Sequence, residues 1–479
     1  MQYTEEQQAI LDTIVQDSCD FIKVNSVAGS GKTTLLIGIS KILKPKNGLY
    51  IAYNKAIADE AKTKFDKNVI CQTTHSLAYQ NTIKHFNLNV GVFNYKVIKE
   101  RIKFELKLII IDLVNDFFLS KYVKIDDYIK SNKEQFEKLE KANKNIVDLV
   151  PKYIRKMISG QIDITHAGYL KFYHILLANN KIKHDEFDVL MLDEAGDINP
   201  VTLEIFKLLP AKKKVMVGDE NQNIYTFNKT INGFVEMKDV GIQMNMTQSF
   251  RCSPEIADRI DTFIKRYIDI NMEFKGTRDE TCDMSIKSSA IISRTNSGLI
   301  GEIIALAEND IKFSLTRKAS QIFELVLILA NLKPGGKIFS REWSFLQDEV
   351  DEWNMNPFLL SEYKSAFAYI ADKYSEDIQI KTATKIIGKY GTRSVYSAYN
   401  AAKESEKRKT KGIVLCTAHS SKGLEFDKVK IADDLNNSLS KIFEERSIAE
   451  FTEKDIEEFR LYYVACSRAK KELINAEWL

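Results

Sequence analysis

The run VNSVAGSGKTT at residues 24–34 places two glycines, a lysine and two threonines in the order that cradles a phosphate. Gly29 and Gly31 let the backbone N–H groups of the loop Ala28–Ser30 point inward at phosphate oxygens, and Lys32 can reach between the last two phosphates. Thr33 can hold Mg²⁺, and Thr34 continues into a helix whose N-terminus adds partial positive charge. The usual first residue of this pattern is Gly or Ala, and Ser26 departs from it. Asp193 and Glu194 supply the other half of such chemistry. Two adjacent carboxylates closing the apolar run FDVLML are costly to bury without a positive partner, and a nucleotide-bound Mg²⁺ is one. Asp193 would then meet the metal, and Glu194 would orient and deprotonate an attacking water. In GDENQNIYTF at 218–227, Gln222 is placed to sense a terminal phosphate, and Tyr225 and Phe227 offer rings on which bases can stack. Plainer readings compete: a Gly-rich turn at the loop, a helix N-cap at Asp197 ahead of a helix near Pro200, and core packing for the two aromatics.

Each of these groups needs an element to hold it. Residues 21–24 read as a buried strand and residues 35–37 as the start of a helix, which is the strand, loop and helix of a phosphate cradle. Upstream, Thr4 is the expected N-cap of a first helix, with Gln7 three residues on. Capping explains Gln7, and so does reading an adenine edge, since an amide presents a donor and an acceptor together. The two readings stand level. Further strands are expected at 48–53, 69–73, 187–192 and 214–217, with helices between them, which argues for a parallel α/β sheet. Ligands of such sheets sit at the carboxyl ends of the strands, where Tyr53, Asn54, Thr74 and His75 emerge. A lone His is usually structural, but His75 lies beside a hydroxyl pair at a strand end, which also suits a phosphate or sugar contact. Residues 84–155 change to long helical segments. Residues 121–156 carry ten basic and six acidic groups, with Tyr122, Tyr128 and Tyr153 among them, and a solvated helix face accounts for them as well as a nucleic-acid surface does.

A chain of 479 residues is long enough for two to four domains, and 44% hydrophobic with 28% charged residues describes a soluble globular protein. Its six cysteines (19, 71, 252, 282, 416 and 466) form no CxxC pair, so neither a zinc site nor a disulfide framework is expected, and the simplest setting is a reducing, intracellular one. No secretory leader is expected at the N-terminus, and the most apolar stretch, residues 106–119, is broken by Lys107, Asp112, Asn115 and Asp116, so no membrane association is anticipated. The formal charge of +3 means that nucleic-acid binding must come from a local surface.

Six blocks, in order, then carry a family resemblance: AGSGKTT, DEA at 193–195, GDENQNIYTF, QSFR at 248–251, TAHSSKGLEFD at 417–427 and YYVACSRAKK at 462–471. They resemble the superfamily 1 UvrD/Rep/PcrA-type DNA helicases. YNKA at 53–56 and TTHS at 73–76 look closer to the F-box DNA helicase branch. The resemblance implies two RecA-like parallel-sheet domains that clamp ATP between them, each with a mainly helical insertion. The first would occupy 1–83 and 160–245 with an insertion at 84–159, and the second 246–300 and 403–479 with an insertion at 301–402. It implies Mg²⁺ with ATP as substrate. Gln7 then resembles the adenine reader, Lys32, Thr33 and Asp193 the phosphate and metal ligands, Glu194 the base and Gln222 the γ-phosphate sensor. Arg251 and Arg468 match two arginines brought to the same phosphate, Glu425 a ribose contact, and Phe250 stands where the family usually has an adenine-stacking Tyr. Tyr53, Thr74, His75, Tyr225, Phe227, Thr417 and His419 would line a groove for single-stranded DNA.

The implied activity is an ATP-dependent DNA helicase or translocase, a monomer moving 3′ to 5′ on single strands and at single-strand/duplex junctions, with replication or repair proteins as partners. Departures are Gly196 for the family's Gln, Ser249 for Asn and Ser467 for Thr. Gly196 and a compact second insertion motivate an alternative, a DNA-stimulated ATPase acting as a protein-displacing translocase or switch with little unwinding. A third reading, a P-loop NTPase with no nucleic-acid role, fits the His75 and Tyr225 blocks poorly. Trp343, Trp353, the Pro334-Gly335-Gly336 turn and the basic Lys407-Arg408-Lys409 of the second insertion carry no assigned role.

Overall fold

The computed structural model describes residues 3–16, 18–142, 146–224, 229–278, 285–340, 342–407 and 412–479. The chain divides into two compact units, Met1–Thr247 and Gln248–Leu479. In the first, strands β1 (Phe21–Ser26), β2 (Gly48–Ala52), β3 (Val69–Thr73), β4 (Phe187–Leu192), β5 (Ala211–Gly218) and β6 (Ile242–Met246) form one sheet in the order β3-β2-β4-β5-β1-β6. Every pairing is parallel. Period-2 alternation explains why both faces are covered. Ile22, Val24, Tyr50, Val189, Met191, Val215 and Val217 bury one face against the helices Glu5–Ile14, Lys32–Leu43 and Lys55–Lys64. Phe21, Leu49, Ile51, Leu190, Leu192 and Met216 point the other way, into a core shared with the long helices Phe104–Leu119, Ile146–Ile158 and His166–Ala178. The helical segment between β3 and β4 is thus continuous with the sheet's own core. Lys171, buried in that core, donates from Nζ to the carbonyls of Ser120 (2.5 Å) and Tyr122 (2.9 Å) and so closes the end of helix Phe104–Leu119.

The second unit has a short parallel pair, β7 (Gln248–Ser249) with β8 (Lys275–Gly276), and a five-stranded parallel sheet. Its strands β9 (Ser289–Ser293), β10 (Phe313–Leu315), β11 (Ile413–Thr417), β12 (Phe426–Ile431) and β13 (Ala469–Ile474) run in the order β10-β11-β9-β12-β13. β10 corrects one expectation. It lies inside residues 301–402, the span expected to be an insertion, yet it pairs with β11 as the outer strand of the sheet. Three residues are too short a run for apolar patterning to reveal. Helices Glu324–Ala330, Phe345–Met355, Ala366–Lys373 and Ile378–Lys407 follow, packed through Val326, Leu346, Ile370 and Ile380. The last of them breaks at Gly391, whose φ of 76° only glycine adopts without strain. No helix among the described residues is long and apolar enough to cross a membrane. Five of the cysteines are buried and free, and Cys282 lies outside the described residues.

Candidate active site

Within the first sheet, β4, β5 and β1 are neighbours, so the three polar turns that leave their carboxyl ends lie side by side. The turn after β1 carries the phosphate loop. Gly29 (φ 78°) and Gly31 (φ 83°) both sit in the left-handed region, the conformation that turns successive N–H groups to one side. The 12-residue helix Lys32–Leu43 begins directly after Gly31 with no side-chain cap, leaving its first-turn N–H groups for a ligand. Ser30 Oγ is buried with no hydrogen-bond partner, a vacant polar atom in the loop itself. Ser26, the departure at the first position, has a function for its hydroxyl. It donates to the Gly218 carbonyl at 2.7 Å and ties the loop to the turn after β5.

Gln7 completes a capping box with Thr4, accepting from the Thr4 N–H at 3.2 Å, and its amide nitrogen donates to the Ser30 carbonyl at 3.2 Å. Both ends of the amide that would read an adenine are therefore engaged, in holding the helix start and the phosphate loop. Thr33 and Thr34 sit half-buried in the first turn of the following helix, and Ala28 is buried at the loop's base.

The turn after β4 brings the carboxylates to the loop. Lys32 Nζ lies 3.6 Å from Glu194 Oε1. Asp193 is buried and accepts from the Tyr50 hydroxyl at 2.6 Å and the Glu194 N–H at 2.9 Å. Burial and the neighbouring Glu194 charge hold its carboxyl above the usual range, against the pull of Lys32 and of the Tyr50 hydrogen bond. Glu194 itself has φ 55°, a left-handed backbone that costs a non-glycine residue about 1–3 kcal/mol and marks functional turns. A hydroxyl and carboxylate oxygens beside a lysine are hard donors that suit Mg²⁺ with a nucleotide phosphate. The helix at Pro200–Leu208 is capped by Asn199, which accepts from the Thr202 N–H at 2.8 Å, and not by Asp197. Proline is favoured at the first helical position, which makes the residue before it the cap.

The turn after β5 holds Gln222, buried, with its amide donating to Asp219 Oδ2 at 2.8 Å; Asp219 Oδ1 also accepts from the Asn221 N–H at 2.9 Å. Asp219 thus fixes the rotamer of the expected phosphate sensor. Gly196 explains itself against this turn, because a Cβ there would run into the Asp219 carbonyl oxygen. Cβ atoms at Gly218 and Gly233 would likewise lie 2.7 Å from the Gly196 nitrogen and the Ala195 carbonyl oxygen. The two turns meet backbone to backbone, and no side chain fits the seam. Gly196→Ala is expected to lower the free energy of unfolding by about 1–3 kcal/mol, as overpacking does. A urea midpoint equal to that of the unsubstituted protein would contradict the seam.

Beside the carboxylates, at the ends of β2, β3 and β4, a cleft of about 370 Å³ is lined by Tyr53, Thr74, His75, Asp193 and Asn199 among others. Tyr53 is exposed, Thr74 is buried, and His75 reaches the surface with Nδ1 3.2 Å from the Tyr169 hydroxyl. Surrounding protein and His166 hold the His75 pKa below its ordinary value. Asn54 turns away to cap helix Lys55–Lys64, accepting from the Ile57 N–H at 2.9 Å. Tyr225 and Phe227 lie outside the described residues.

The second unit gathers its own expected residues. Arg251, just after β7, donates to Glu425 Oε2 at 3.1 Å and to the Ser467 carbonyl at 3.2 Å, and Lys470 pairs with the same Glu425. Burial pushes the Glu425 carboxyl up, but Lys470 and Arg251 outweigh it and hold it below its ordinary value. Arg468 is fully buried, held by the Val464 carbonyl (2.9 Å), Ser467 Oγ (2.9 Å) and the Leu424 carbonyl (3.4 Å). Phe250 next to Arg251 exposes its ring. Thr417 ends β11 with Oγ1 3.0 Å from Ser420 Oγ, and His419 opens the turn that follows.

Three contributors were not singled out from the residues alone: Tyr50, Asp219 and Tyr169. A lone hydroxyl in the apolar run LYIA was the available signal for Tyr50. The other two act through partners distant in sequence or through a rotamer.

Residues 4–239 match the UvrD/REP helicase N-terminal domain. The chain is 25% identical over 520 residues to F-box DNA helicase protein 1 of Schizosaccharomyces pombe, covering 98% of this chain and 57% of that protein. It is 26% identical over 531 residues to F-box DNA helicase 1 of Gallus gallus, covering 99% of this chain and 49% of that protein. The chain spans about half the length of these two relatives.

Proposed function

We propose that this chain, similar to the UvrD-like DNA helicases and among them to the F-box DNA helicases, couples ATP hydrolysis to 3′ to 5′ movement along single-stranded DNA and unwinds duplex as it moves. The observation that carries this reading is the row of three turns after β1, β4 and β5, with the Tyr53–Thr74–His75 cleft opening beside Asp193. A phosphoryl-transfer centre and a strand-sized cleft share one residue, so a change at the phosphate has a short route to the DNA. Lys32 and the loop N–H groups hold the β- and γ-phosphates, Glu194 takes a proton from the attacking water, and Gln222 senses the terminal phosphate. Thr33 and Asp193 would hold Mg²⁺, which would supply neutralising charge to the phosphate oxygens. In the second unit, Arg251 and Arg468 are the candidates for neutralising charge on a transferred phosphoryl group, Glu425 for a ribose contact and Phe250 for stacking on an adenine. Single-stranded DNA occupies the cleft and the Thr417–His419 turn. The direction of movement is the one the family resemblance implies.

The test is ATP turnover with and without single-stranded DNA, beside strand release from forks with a 3′ or a 5′ tail. Turnover should rise strongly with DNA, and only the 3′-tailed fork should release its strand. A DNA-stimulated ATPase that releases neither strand would establish the second reading, a protein-displacing translocase or switch. Turnover indifferent to DNA would refute both.

A further inference from the structure

The outer strand β3 borders a second groove, of about 590 Å³, between helices Lys55–Lys64 and Thr74–Asn81 and the start of helix His166–Ala178. Thr73 and His75 line both this groove and the strand-end cleft, so the two adjoin. The floor is a cluster of rings. The Tyr169 hydroxyl lies 3.2 Å from Nδ1 of both His75 and His166, and Tyr79 meets the Tyr169 ring edge-on at 5.9 Å between centroids. Tyr79 is 38% exposed, enough to offer its ring to a ligand. The rim is basic, with Lys62 and Lys84 both exposed. Asp59 is the one carboxylate among the residues lining the groove, and it pairs with Lys62 at 2.8 Å.

We propose that this groove extends the nucleic-acid track, taking further nucleotides of a single strand beyond His75, with phosphates on Lys62 and Lys84 and a base on Tyr79. The proposal rests on the reading of the chain as a single-strand-binding motor and adds residues that the motor motifs do not contain. Exposed cations flanking a supported aromatic ring are the chemistry of sequence-tolerant single-strand binding. A duplex keeps its bases stacked inside, so a ring on the groove floor has nothing to receive from it. The exposed Lys62–Asp59 pair is no obstacle, because such pairs contribute little and are screened by salt, so a phosphate can replace Asp59. The Tyr169 hydroxyl links His75, which also lines the cleft, to His166 on the groove floor.

The experiment measures the affinity of oligo(dT) of increasing length for the full chain at several salt concentrations. The unsubstituted protein should gain affinity as the oligonucleotide grows past the strand-end cleft. Tyr79→Ala should remove roughly tenfold or more from that gain, the range found when a stacking ring is truncated. Lys84→Gln, an exposed change that leaves the rings in place, should reduce the slope of log K against log salt by about 0.7, one phosphate contact on a single strand. Both variants should keep the melting temperature and the short-oligonucleotide affinity of the unsubstituted protein. If both retain the full gain with length and the full slope, the groove does not hold the strand and the proposal is overturned. If the unsubstituted protein binds oligo(dT) at no length, the single-strand reading of the cleft fails and the groove proposal falls with it.

Discussion

Lys32→Ala should abolish measurable ATP turnover, a loss of at least roughly 10²–10³ in kcat, the usual cost of removing one preorganised charged donor from a transition state. Two contributions add. The ammonium can no longer follow charge as it moves onto the leaving phosphates. The carboxylates also lose their nearest cation: Lys32 is 3.6 Å from Glu194 and is one of the influences that pull the Asp193 carboxyl down against burial. Without it that pull on Asp193 is lost. DNA binding should survive, because Tyr53, Thr74 and His75 are held by β2, β3 and Tyr169 and not by Lys32. The check is turnover beside oligonucleotide affinity across a salt series. Near-normal turnover in this variant would refute the assignment of the loop.

Arg251→Ala should cost roughly 10³–10⁵ in kcat, the range for arginines that stabilise a phosphoryl-transfer transition state. The fold should tolerate it, since Glu425 keeps Lys470 and β7 keeps its pairing with β8. Arg251→Lys retains the charge but not the planar fork, and should recover little of the rate. A transition-state role lowers kcat and kcat/KM together, whereas a purely ground-state contact raises KM alone, so saturation kinetics separate the two. Full turnover in Arg251→Ala would remove this arginine from the chemistry.

The phosphate loop was readable because its work is done by backbone conformation, and glycines at 29 and 31 announce that conformation in the sequence. The carboxylates were readable because they end an apolar strand. What surrounds them was not. Tyr50 supports Asp193 from a neighbouring strand, Ser26 reaches the Gly218 carbonyl across the sheet, and Asp219 holds Gln222 by a side-chain rotamer. The first two contacts depend on strand order, which the packing of the whole sheet sets, and the third on a rotamer that residue types do not announce. β10 escaped notice for a different reason, since three residues cannot display a period. Gly196 looked like a missing amide, and only the apposition of two turns turns it into a steric requirement.

That apposition bears on how a comprehensive substitution screen of this chain would look. Positions 196, 218 and 233 should tolerate nothing but glycine, as sharply as position 32 tolerates nothing but lysine, although none of the three offers a functional group. The two kinds of intolerance part company once abundance is scored beside turnover. Replacements at the glycines deplete folded protein from the cell, while replacements at Lys32 leave a full complement of inert molecules.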